Sequence, residues 1–405
     1  MNIVPAIILA GGKGKRMGIL CRKKPKPVLP FGGNYRIIDF TLSNCIHSHI
    51  TNIAVMVDYQ HPLITRYLKK WHSVNGHACS LQVLPPDNGS YNGTADAVYR
   101  NLDYVKGLAS DVVLVLAGDH IYNMDYGRMI EFHHDMKADA TISMVNVPLD
   151  EAQRFGTVIT DQRNRVLEFK EKSAVTRSNR ASMGIYVFNR DFLADRLIED
   201  AARTDSSHDF GYSLLPHMVE SGNIFACIFD GYWQDIGTIN SYYEAHMGLL
   251  ESLPHFVADD SRPILTINNN LPPDRTGRHD NIVNSIISPG CVINGFVSNS
   301  VLSPGVVVER QAEVMDSIVM ADSKIGYHSI INRCILDEGV RVGKYCYLGL
   351  ETDRDSAMDI TVLGQNVETP DYVAIGSRSK VLPNTVAADF DSKFIRPDSV
   401  VARAR

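Results

Sequence analysis

Residues 6–18 read AIILAGGKGKRMG, an apolar run followed by four glycines and three cations within residues 11–18. Glycine allows a tight backbone turn and lets N–H groups approach a ligand without obstruction by a side chain. The charges of Lys15 and Arg16 would stand beside those N–H groups, as a bound triphosphate requires. The stretch therefore predicts a buried first strand that ends in a phosphate-binding loop.

Residues 23–33, KKPKPVLPFGG, strengthen this interpretation. Three prolines stiffen the segment, so Lys23, Lys24 and Lys26 would be presented from a fixed backbone. A cationic cluster on a rigid support beside a glycine loop favours polyphosphate binding. The alternatives are a plain strand-to-helix turn for the loop and a solvated face for the lysines. The loop is neither a Walker loop nor a G-x-G-x-x-G dinucleotide loop, because the G-K-[ST] ending and the glycine spacing are missing.

The rest of the N-terminal half alternates short apolar runs, such as NIAVMV and DVVLVLAGD, with amphipathic stretches such as HPLITRYLKKW. Buried strands separated by amphipathic helices indicate an α/β domain with a mainly parallel, Rossmann-like sheet. Pro and Asn accumulate in the segment RPILTINNNLPPDRTG, which is typical of a linker. We therefore predict a first domain over 1–250 and a linker over 251–284.

The C-terminal part contains a degenerate repeat. Four segments of similar pattern begin at Ile286, Val301, Ile318 and Ile335. Within each, an apolar residue recurs six positions on, for example from Leu302 to Val308. A six-residue step within a longer period is typical of a β-helix, and this pattern resembles the left-handed hexapeptide type. We predict a left-handed parallel β-helix over 285–405, continued by VLGQN and AIGSR; a β-sandwich of short strands is the alternative.

Composition excludes several classes of protein. The chain has 405 residues and a formal net charge of -6, so no basic excess is present to meet a nucleic acid or a lipid surface. Its seven cysteines are scattered without a C-x-x-C pair, which argues against a zinc knuckle or a disulfide framework. The longest early apolar run is far too short to span a membrane. These features predict a cytoplasmic protein that binds no nucleic acid and no membrane.

Six ordered motifs carry a resemblance to a known family: FGGNYRIIDFTLSNC (31–45), GTADAVYRN (93–101), LAGDHIYNMDY (116–126), ASMGIYVF (181–188), SSHDFG (206–211) and YWQDIGTINSYYEA (232–245). With the glycine loop and the P-K-P lysine, the chain resembles the nucleotide-sugar pyrophosphorylases over essentially its whole length. Within them it is similar to the glucose-1-phosphate adenylyltransferases of bacterial glycogen synthesis.

The resemblance implies that glucose 1-phosphate attacks the α-phosphorus of ATP and that pyrophosphate leaves. Arg16 and Lys26 match the family's catalytic cations. Asp119, which follows an apolar strand, and Asp235 match its metal carboxylates, and such oxygen ligands suit Mg²⁺. The expected catalytic residues are therefore Arg16, Lys26 and Asp119. The expected nucleotide-binding residues are Leu9, Ala10, Gly11, Gly12, Gly14, Lys15, Gly93, Thr94 and Asp119.

The same resemblance implies a sugar-phosphate site. The carboxylate of Glu171 would accept hydrogen bonds from sugar hydroxyls, and the ammonium of Lys172 would bind the phosphate. The other matching positions are Tyr91, Gly156 and Ser182.

The chain also departs from the family pattern. LPPDN (84–88) lacks a glutamine usual near the adenine, which leaves open a pyrophosphorylase for another nucleotide or sugar phosphate. A non-catalytic regulatory subunit is a further alternative. Such subunits typically lose the catalytic Arg, Lys or Asp, whereas this chain has Arg16, Lys26, Asp119 and Asp235. Relatives are commonly homotetramers. Lys23 matches an activator lysine, which implies a phosphorylated or carboxylate metabolite as effector.

Overall fold

The computed structural model describes residues 4–58, 61–76, 79–251, 261–268, 271–277, 281–350 and 359–403. Up to residue 251 the strands are β1 (Ala6–Leu9), β2 (Pro30–Phe31), β3 (Tyr35–Arg36), β4 (Asn52–Met56), β5 (Ser80–Leu84), β6 (Val112–Ala117), β7 (His120–Tyr122), β8 (Ala140–Asn146), β9 (Gly156–Thr160), β10 (Val166–Glu171), β11 (Arg180–Asn189), β12 (Ile224–Ile228) and β13 (Trp233–Asp235).

The α-helices are α1 (Ile37–His47), α2 (His61–Asn75), α3 (Thr94–Tyr99), α4 (Leu102–Lys106), α5 (Tyr126–Asp135), α6 (Leu149–Ala152), α7 (Arg190–Ala202), α8 (Leu215–Ser221) and α9 (Ile239–Glu251). Short 3₁₀ helices cover Lys15–Cys21, Lys26–Val28 and Ala387–Asp389, and a π-helical turn covers Phe210–Leu214. No helix among the described residues is both long and apolar enough to cross a membrane.

The chain divides into two compact units. We call residues 1–12 and 38–234 the sheet unit, and residues 13–37 and 235–405 the β-helix unit. The basic segment 13–37 therefore groups with the β-helix. The predicted domain boundaries at 250 and 285 stay a prediction, and residues 252–260, 269–270 and 278–280 of the predicted linker lie outside the described residues.

The sheet unit is built on a nine-stranded sheet in which β6, β1, β4 and β5 are parallel neighbours. This confirms the α/β prediction. Strand β1 lies between β4 and β6, and its apolar residues Ile7 and Ile8 are fully buried. Strand β11 joins β6 in the antiparallel direction and also pairs with β8 and β9, which extends the sheet beyond its parallel part. The carboxyl ends of β1 and β6 share one edge, where ligands bind in open α/β sheets.

The β-helix strands are β14 (Arg275–Thr276), β15 (Ile282–Val283), β16 (Ile286–Ile287), β17 (Val292–Ile293), β18 (Phe296–Ser298), β19 (Val301–Leu302), β20 (Val307–Val308), β21 (Glu313–Met315), β22 (Ile318–Val319), β23 (Lys324–Ile325), β24 (Ile330–Asn332), β25 (Cys334–Leu336), β26 (Arg341–Val342), β27 (Tyr347–Leu350), β28 (Thr361–Leu363), β29 (Ala374–Gly376), β30 (Lys380–Val381), β31 (Phe394–Ile395) and β32 (Val400–Val401). They form three parallel sheets of five, seven and seven strands.

The register of these sheets confirms the repeat found in the sequence. Ile286 pairs with Val301, Val301 with Ile318, and Ile318 with Ile335, so the four segment starts stack on one sheet. VLGQN and AIGSR supply β28 and β29, which continue the coil. The β-sandwich alternative is wrong, because every strand pairing named in these three sheets is parallel. The recurring apolar residues are buried because each coil covers the corner residues of the next.

A buried histidine holds the FGG loop in the β-helix unit. His246 of α9 accepts a hydrogen bond at Nε2 from the backbone N–H of Gly32 and donates from Nδ1 to the carbonyl of Tyr242. The ring also packs edge-on against Phe31 at 4.5 Å. Burial lowers the pKa of His246 from 6.5 to about 4, so the folded protein holds this ring neutral.

This burial predicts a pH dependence of stability. The unfolded chain takes up a proton at His246 near pH 6.5, whereas the folded chain does so only near pH 4. The free energy of unfolding is therefore expected to fall from pH 6.5 to pH 4, by up to roughly 3 kcal/mol. Urea unfolding at pH 7 and pH 5 measures this loss. A His246→Gln variant should lose less stability over that interval, while the exposed control His328→Gln should behave like the wild type.

Candidate active site

In the sheet unit, the glycine loop and Asp119 follow neighbouring strands. Leu9 at the end of β1 pairs with Ala117 at the end of β6, and the N–H of Gly118 donates to the carbonyl of Leu9 at 3.0 Å. Ala10, Gly11 and Gly12 continue from β1, and Asp119 follows β6 by two residues. The Asp119 side chain is one-third exposed, with Oδ1 3.6 Å from Nε2 of His120. The backbone N–H groups of the glycine loop and the carboxylate of Asp119 therefore lie at the same edge of the sheet.

The GTAD motif is held by the SSHDFG motif. Thr94 begins α3, and its hydroxyl donates to Oδ2 of Asp209 at 2.9 Å while accepting the N–H of Phe210 at 3.0 Å. The N–H of Ala95 donates to the carbonyl of His208 at 2.9 Å. A Cβ on Gly93 would collide with that carbonyl, so only glycine lets the two motifs approach this closely.

The predicted sugar-site carboxylate is seated between two glycines. Glu171 ends β10 and pairs with Gly156 at the start of β9. A Cβ placed on Gly156 or on Gly211 would lie 2.6 Å from Oε2 of Glu171. Any larger residue at either position would push the carboxylate out of place. Gly211 belongs to SSHDFG, so its motif was recognised in the sequence, but the spacing of the residues gave no sign of its role.

The Lys172 ammonium lies beside this carboxylate. Its Nζ is 2.7 Å from Oε1 of Glu171 and 5.4 Å from the ring centre of Tyr212. Burial would lower the pKa of Lys172, but the hydrogen bond and charge of Glu171, with smaller contributions from Tyr212 and Asp209, raise it. Its backbone adopts φ 45°, a left-handed conformation that is costly for a lysine. The side chain is therefore presented as a cation at the end of an edge hairpin.

Ser182 completes this group through Tyr186. The Ser182 hydroxyl is 3.5 Å from the Tyr186 hydroxyl, and the Tyr186 ring stacks on Phe210. Burial raises the pKa of Tyr186, and the charges of Glu171 and Asp209 raise it further. Tyr186 and Asp209 lie in the recognised motifs ASMGIYVF and SSHDFG, but sequence reasoning assigned neither of them a role.

Tyr91 lies further along this unit. Its hydroxyl donates to the carbonyl of Leu84 at 3.4 Å and accepts from Asn101 at 3.2 Å. The guanidinium of Arg100 lies over its ring at 5.5 Å. These partners differ from those of Glu171 and Lys172.

The side chain of Trp233 is a further candidate site group that the sequence did not reveal. Its ring packs edge-on against Phe155 at 5.2 Å and against His120 at 5.4 Å. Its indole N–H is buried and has no hydrogen-bond acceptor among the described residues. Such a donor costs about 1–3 kcal/mol unless a ligand satisfies it. Trp233 is therefore a candidate donor to a bound oxygen atom.

In the β-helix unit, Asp235 lies beside Lys26 and close to the guanidinium of Arg16. Its Oδ1 is 3.3 Å from Nζ of Lys26, and both side chains are largely buried. A Cβ placed on Gly237 would lie 2.9 Å from Oδ2 of Asp235 and 3.0 Å from Nη2 of Arg16. The structure thus gathers Arg16, Lys26 and Asp235, which are up to 219 positions apart in the sequence. Their combined charge favours an anionic ligand.

The remaining residues of the basic segment differ in environment. Gly14 has φ 58° and precedes the 3₁₀ helix that contains Lys15 and Arg16. Lys15 and Lys23 are exposed. Lys24 is only 6% exposed, and its ammonium contacts two carboxylates, Asp337 at 2.7 Å and Glu338 at 2.6 Å. The expectation that all three lysines of KKPKP face phosphate is therefore wrong for Lys24.

The donor atoms fit a hard divalent cation. Asp119 and Asp235 offer carboxylate oxygens, the ligands that Mg²⁺ prefers. Within the described ranges, no three His, Cys, Asp or Glu side chains converge to hold a metal ion by themselves. A cation held by either carboxylate would therefore need oxygen ligands from phosphate as well. All seven cysteines lie in described segments and carry free thiols.

Comparisons with known proteins match both the N-terminal and the C-terminal part of the chain. The nucleotidyl transferase family model matches residues 5–252, and a GlmU-like C-terminal hexapeptide model matches residues 270–369. The hexapeptide match confirms the left-handed type of the β-helix.

Curated relatives match nearly the whole chain. A glucose-1-phosphate adenylyltransferase of Acetivibrio thermocellus is 40% identical, with 96% of this chain and 95% of the relative covered. Proteins of the same name from Fervidobacterium nodosum and Pseudothermotoga lettingae are 39% and 40% identical, with at least 95% of this chain and 98% of each relative covered.

Proposed function

Because the chain belongs to the glucose-1-phosphate adenylyltransferase family, we propose that it transfers the adenylyl group of ATP to α-D-glucose 1-phosphate for α-glucan synthesis. A phosphate oxygen of the sugar phosphate forms a bond to the α-phosphorus, and the bond from that phosphorus to the bridging oxygen breaks. The products are ADP-glucose and pyrophosphate. The gathering of Arg16, Lys26 and Asp235 carries this proposal, since phosphoryl-type transfer depends on charge neutralisation and positioning.

We assign each residue a role that its environment supports. Arg16 is exposed and neutralises the leaving pyrophosphate, while the largely buried Lys26 contacts the reacting phosphates. The glycine loop and the GTAD motif bind the nucleotide. Glu171 accepts hydrogen bonds from sugar hydroxyls, and Lys172 binds the sugar phosphate. We add Trp233 as a donor to a substrate oxygen, because its indole N–H has no acceptor among the described residues.

Nucleotidyltransferases of this type use divalent metal ions, and we propose Mg²⁺ held by Asp119 and Asp235. When bound, such an ion neutralises phosphate charge. Asp235 also orients Lys26 through their ion pair, so its carboxylate has a function that is independent of the metal.

The test is an assay of purified protein with glucose 1-phosphate, Mg²⁺ and one of ATP, UTP, GTP or dTTP. Pyrophosphate release and the mass of the sugar nucleotide are measured. We expect ATP to be preferred and ADP-glucose to form. Faster turnover with another nucleotide would favour the alternative of a pyrophosphorylase for that nucleotide, which the LPPDN sequence leaves open. A folded protein inactive with all four would favour a regulatory subunit, a reading that the presence of Arg16, Lys26, Asp119 and Asp235 disfavours.

Replacing Lys172 with alanine is expected to raise KM for glucose 1-phosphate about 10-fold to 100-fold, since a charged hydrogen bond to the phosphate is lost. KM for ATP should change much less. Initial rates with each substrate varied in turn measure both constants. Lys170→Ala is the matched control, because Lys170 lies two residues before Lys172, at the end of β10, and pairs with the partly exposed Glu168. A larger rise in KM for ATP than for the sugar phosphate would contradict the assignment.

The remaining proposals concern assembly, location and regulation. We propose a homotetramer, which light scattering of the purified protein tests. The seven free thiols fit a reducing compartment and support a cytoplasmic location. Lys23 is exposed and available to a phosphorylated or carboxylate effector.

A further inference from the structure

A single carboxylate of the β-helix holds both ends of the segment that carries Lys26. Glu338 lies in the turn between β25 and β26. Its Oε2 accepts from Nζ of Lys24 at 2.6 Å, and its Oε1 accepts from Nη2 of Arg36 at 2.7 Å. Lys24 and Arg36 are separated by eleven residues, so the contact closes residues 24–36 into a loop. We call Glu338, Lys24 and Arg36 the clamp.

The clamp is charged and well enclosed. Lys24 and Asp337 are almost fully buried, and Lys24 also donates to Oδ1 of Asp337 at 2.7 Å. Burial would raise the pKa of Glu338, but the charges of Arg36 and Lys24 outweigh it and hold that pKa at about 2. Glu338 is therefore ionised at neutral pH. Removing one partner of such a buried pair leaves the other charge uncompensated, so the group holds its geometry strongly.

The loop closed by the clamp has little freedom at Lys26. Lys26 lies two residues from Lys24 and is flanked by Pro25 and Pro27, each of which fixes φ. On the far side, Nη1 of Arg36 donates to the carbonyl of Val28 at 3.0 Å. The Lys26 ammonium then reaches Asp235 at 3.3 Å. The backbone from Lys24 to Val28 is thus held at both ends by the clamp and stiffened between them by two prolines.

We infer that Glu338 is a positioning residue for Lys26, so that the β-helix sets the geometry of a phosphate-contacting lysine. This inference rests on the role proposed above for Lys26. Displacement by about 1 Å of a group that must meet a reacting phosphate can lower the rate about 100-fold. Loss of the clamp should therefore act on turnover more than on substrate binding.

The experiment compares Glu338→Gln with a control in the same domain. Glutamine keeps the size of the side chain and removes its charge. We expect kcat to fall at least 10-fold, with KM for glucose 1-phosphate changed less than threefold. Glu309→Gln is the matched control, because it removes an exposed β-helix ion pair to Lys324 that lies outside the clamp. Arg36→Gln leaves the contact between Lys24 and Glu338 in place but also removes the hydrogen bond to Val28; it should lower kcat too and serves if Glu338→Gln fails to fold.

A double-mutant cycle separates positioning from general destabilisation. If Glu338 acts through Lys26, Glu338→Gln should lower kcat little further in a Lys26→Ala background. Additive losses in kcat would overturn the inference, as would wild-type kcat in folded Glu338→Gln.

A readout independent of activity distinguishes this inference from the proposed function. Reductive methylation of each lysine is followed by mass spectrometry, with exposed Lys23 as internal reference. The clamp predicts that Lys26 reacts at least threefold faster in Glu338→Gln than in the wild type. An unchanged rate at Lys26 would overturn the clamp even if the enzyme were active, whereas a faster rate in a protein inactive with ATP would reject only the proposed substrates.

Discussion

Replacing Asp119 with asparagine is expected to lower kcat by ~10²–10³ while leaving the fold intact, because the variant loses a carboxylate that we propose as a metal ligand, and even a neutral donor at such sites contributes this much. Asp119 lies beyond the end of β6 and is one-third exposed, so the substitution disturbs no packed core. Steady-state rates of pyrophosphate release, with circular dichroism as a check of folding, measure the effect.

Asp125→Asn is the matched control, since Asp125 caps α5 through the N–H of Gly127 and has no proposed role in the reaction. Its kcat should stay near that of the wild type. Raising the Mg²⁺ concentration should recover part of the activity of Asp119→Asn if the loss is one of metal affinity. A folded Asp119→Asn variant with near-normal kcat would rule out Asp119 as a metal ligand.

The second large effect is expected at Lys26. Lys26→Ala should lower kcat about 100-fold, whether or not an activator is present, because it removes a preorganised cation from the reacting phosphates. Lys23→Ala should leave basal activity largely unchanged and weaken activation. The structure gives these lysines different surroundings: Lys26 is buried against Asp235, whereas Lys23 is exposed.

The measurement is kcat for each variant with and without an activator, found by screening phosphorylated glycolytic intermediates and pyruvate. Equal losses of basal kcat in the two variants would make Lys23 part of the phosphate site and remove its proposed regulatory role. Lys13→Ala is a suitable control, since this exposed lysine lies in the same segment and carries no assigned function.

Much of the fold could be predicted because its signals are local. The apolar runs that became β1 and β6 are continuous and bounded by glycine, so they read as buried strands without further information. The six-residue step from Leu302 to Val308 likewise fixed the coil geometry, since each coil repeats the same side-chain directions. The predicted Asp119 position also followed from a local pattern, a polar residue directly after a buried strand.

The sequence by itself predicted which residues carry chemistry: the glycine loop, the basic segment and the motifs around Glu171 and Asp235. Only the tertiary structure decided which partner each of several chemically similar residues contacts. Lys24 and Lys26 are chemically identical and two positions apart, yet one meets Glu338 and the other Asp235. The fold also assigned Gly211 to the Glu171 carboxylate. The physical reason is that a charge acquires its role from the groups around it, and these partners lie more than two hundred positions away from the lysines.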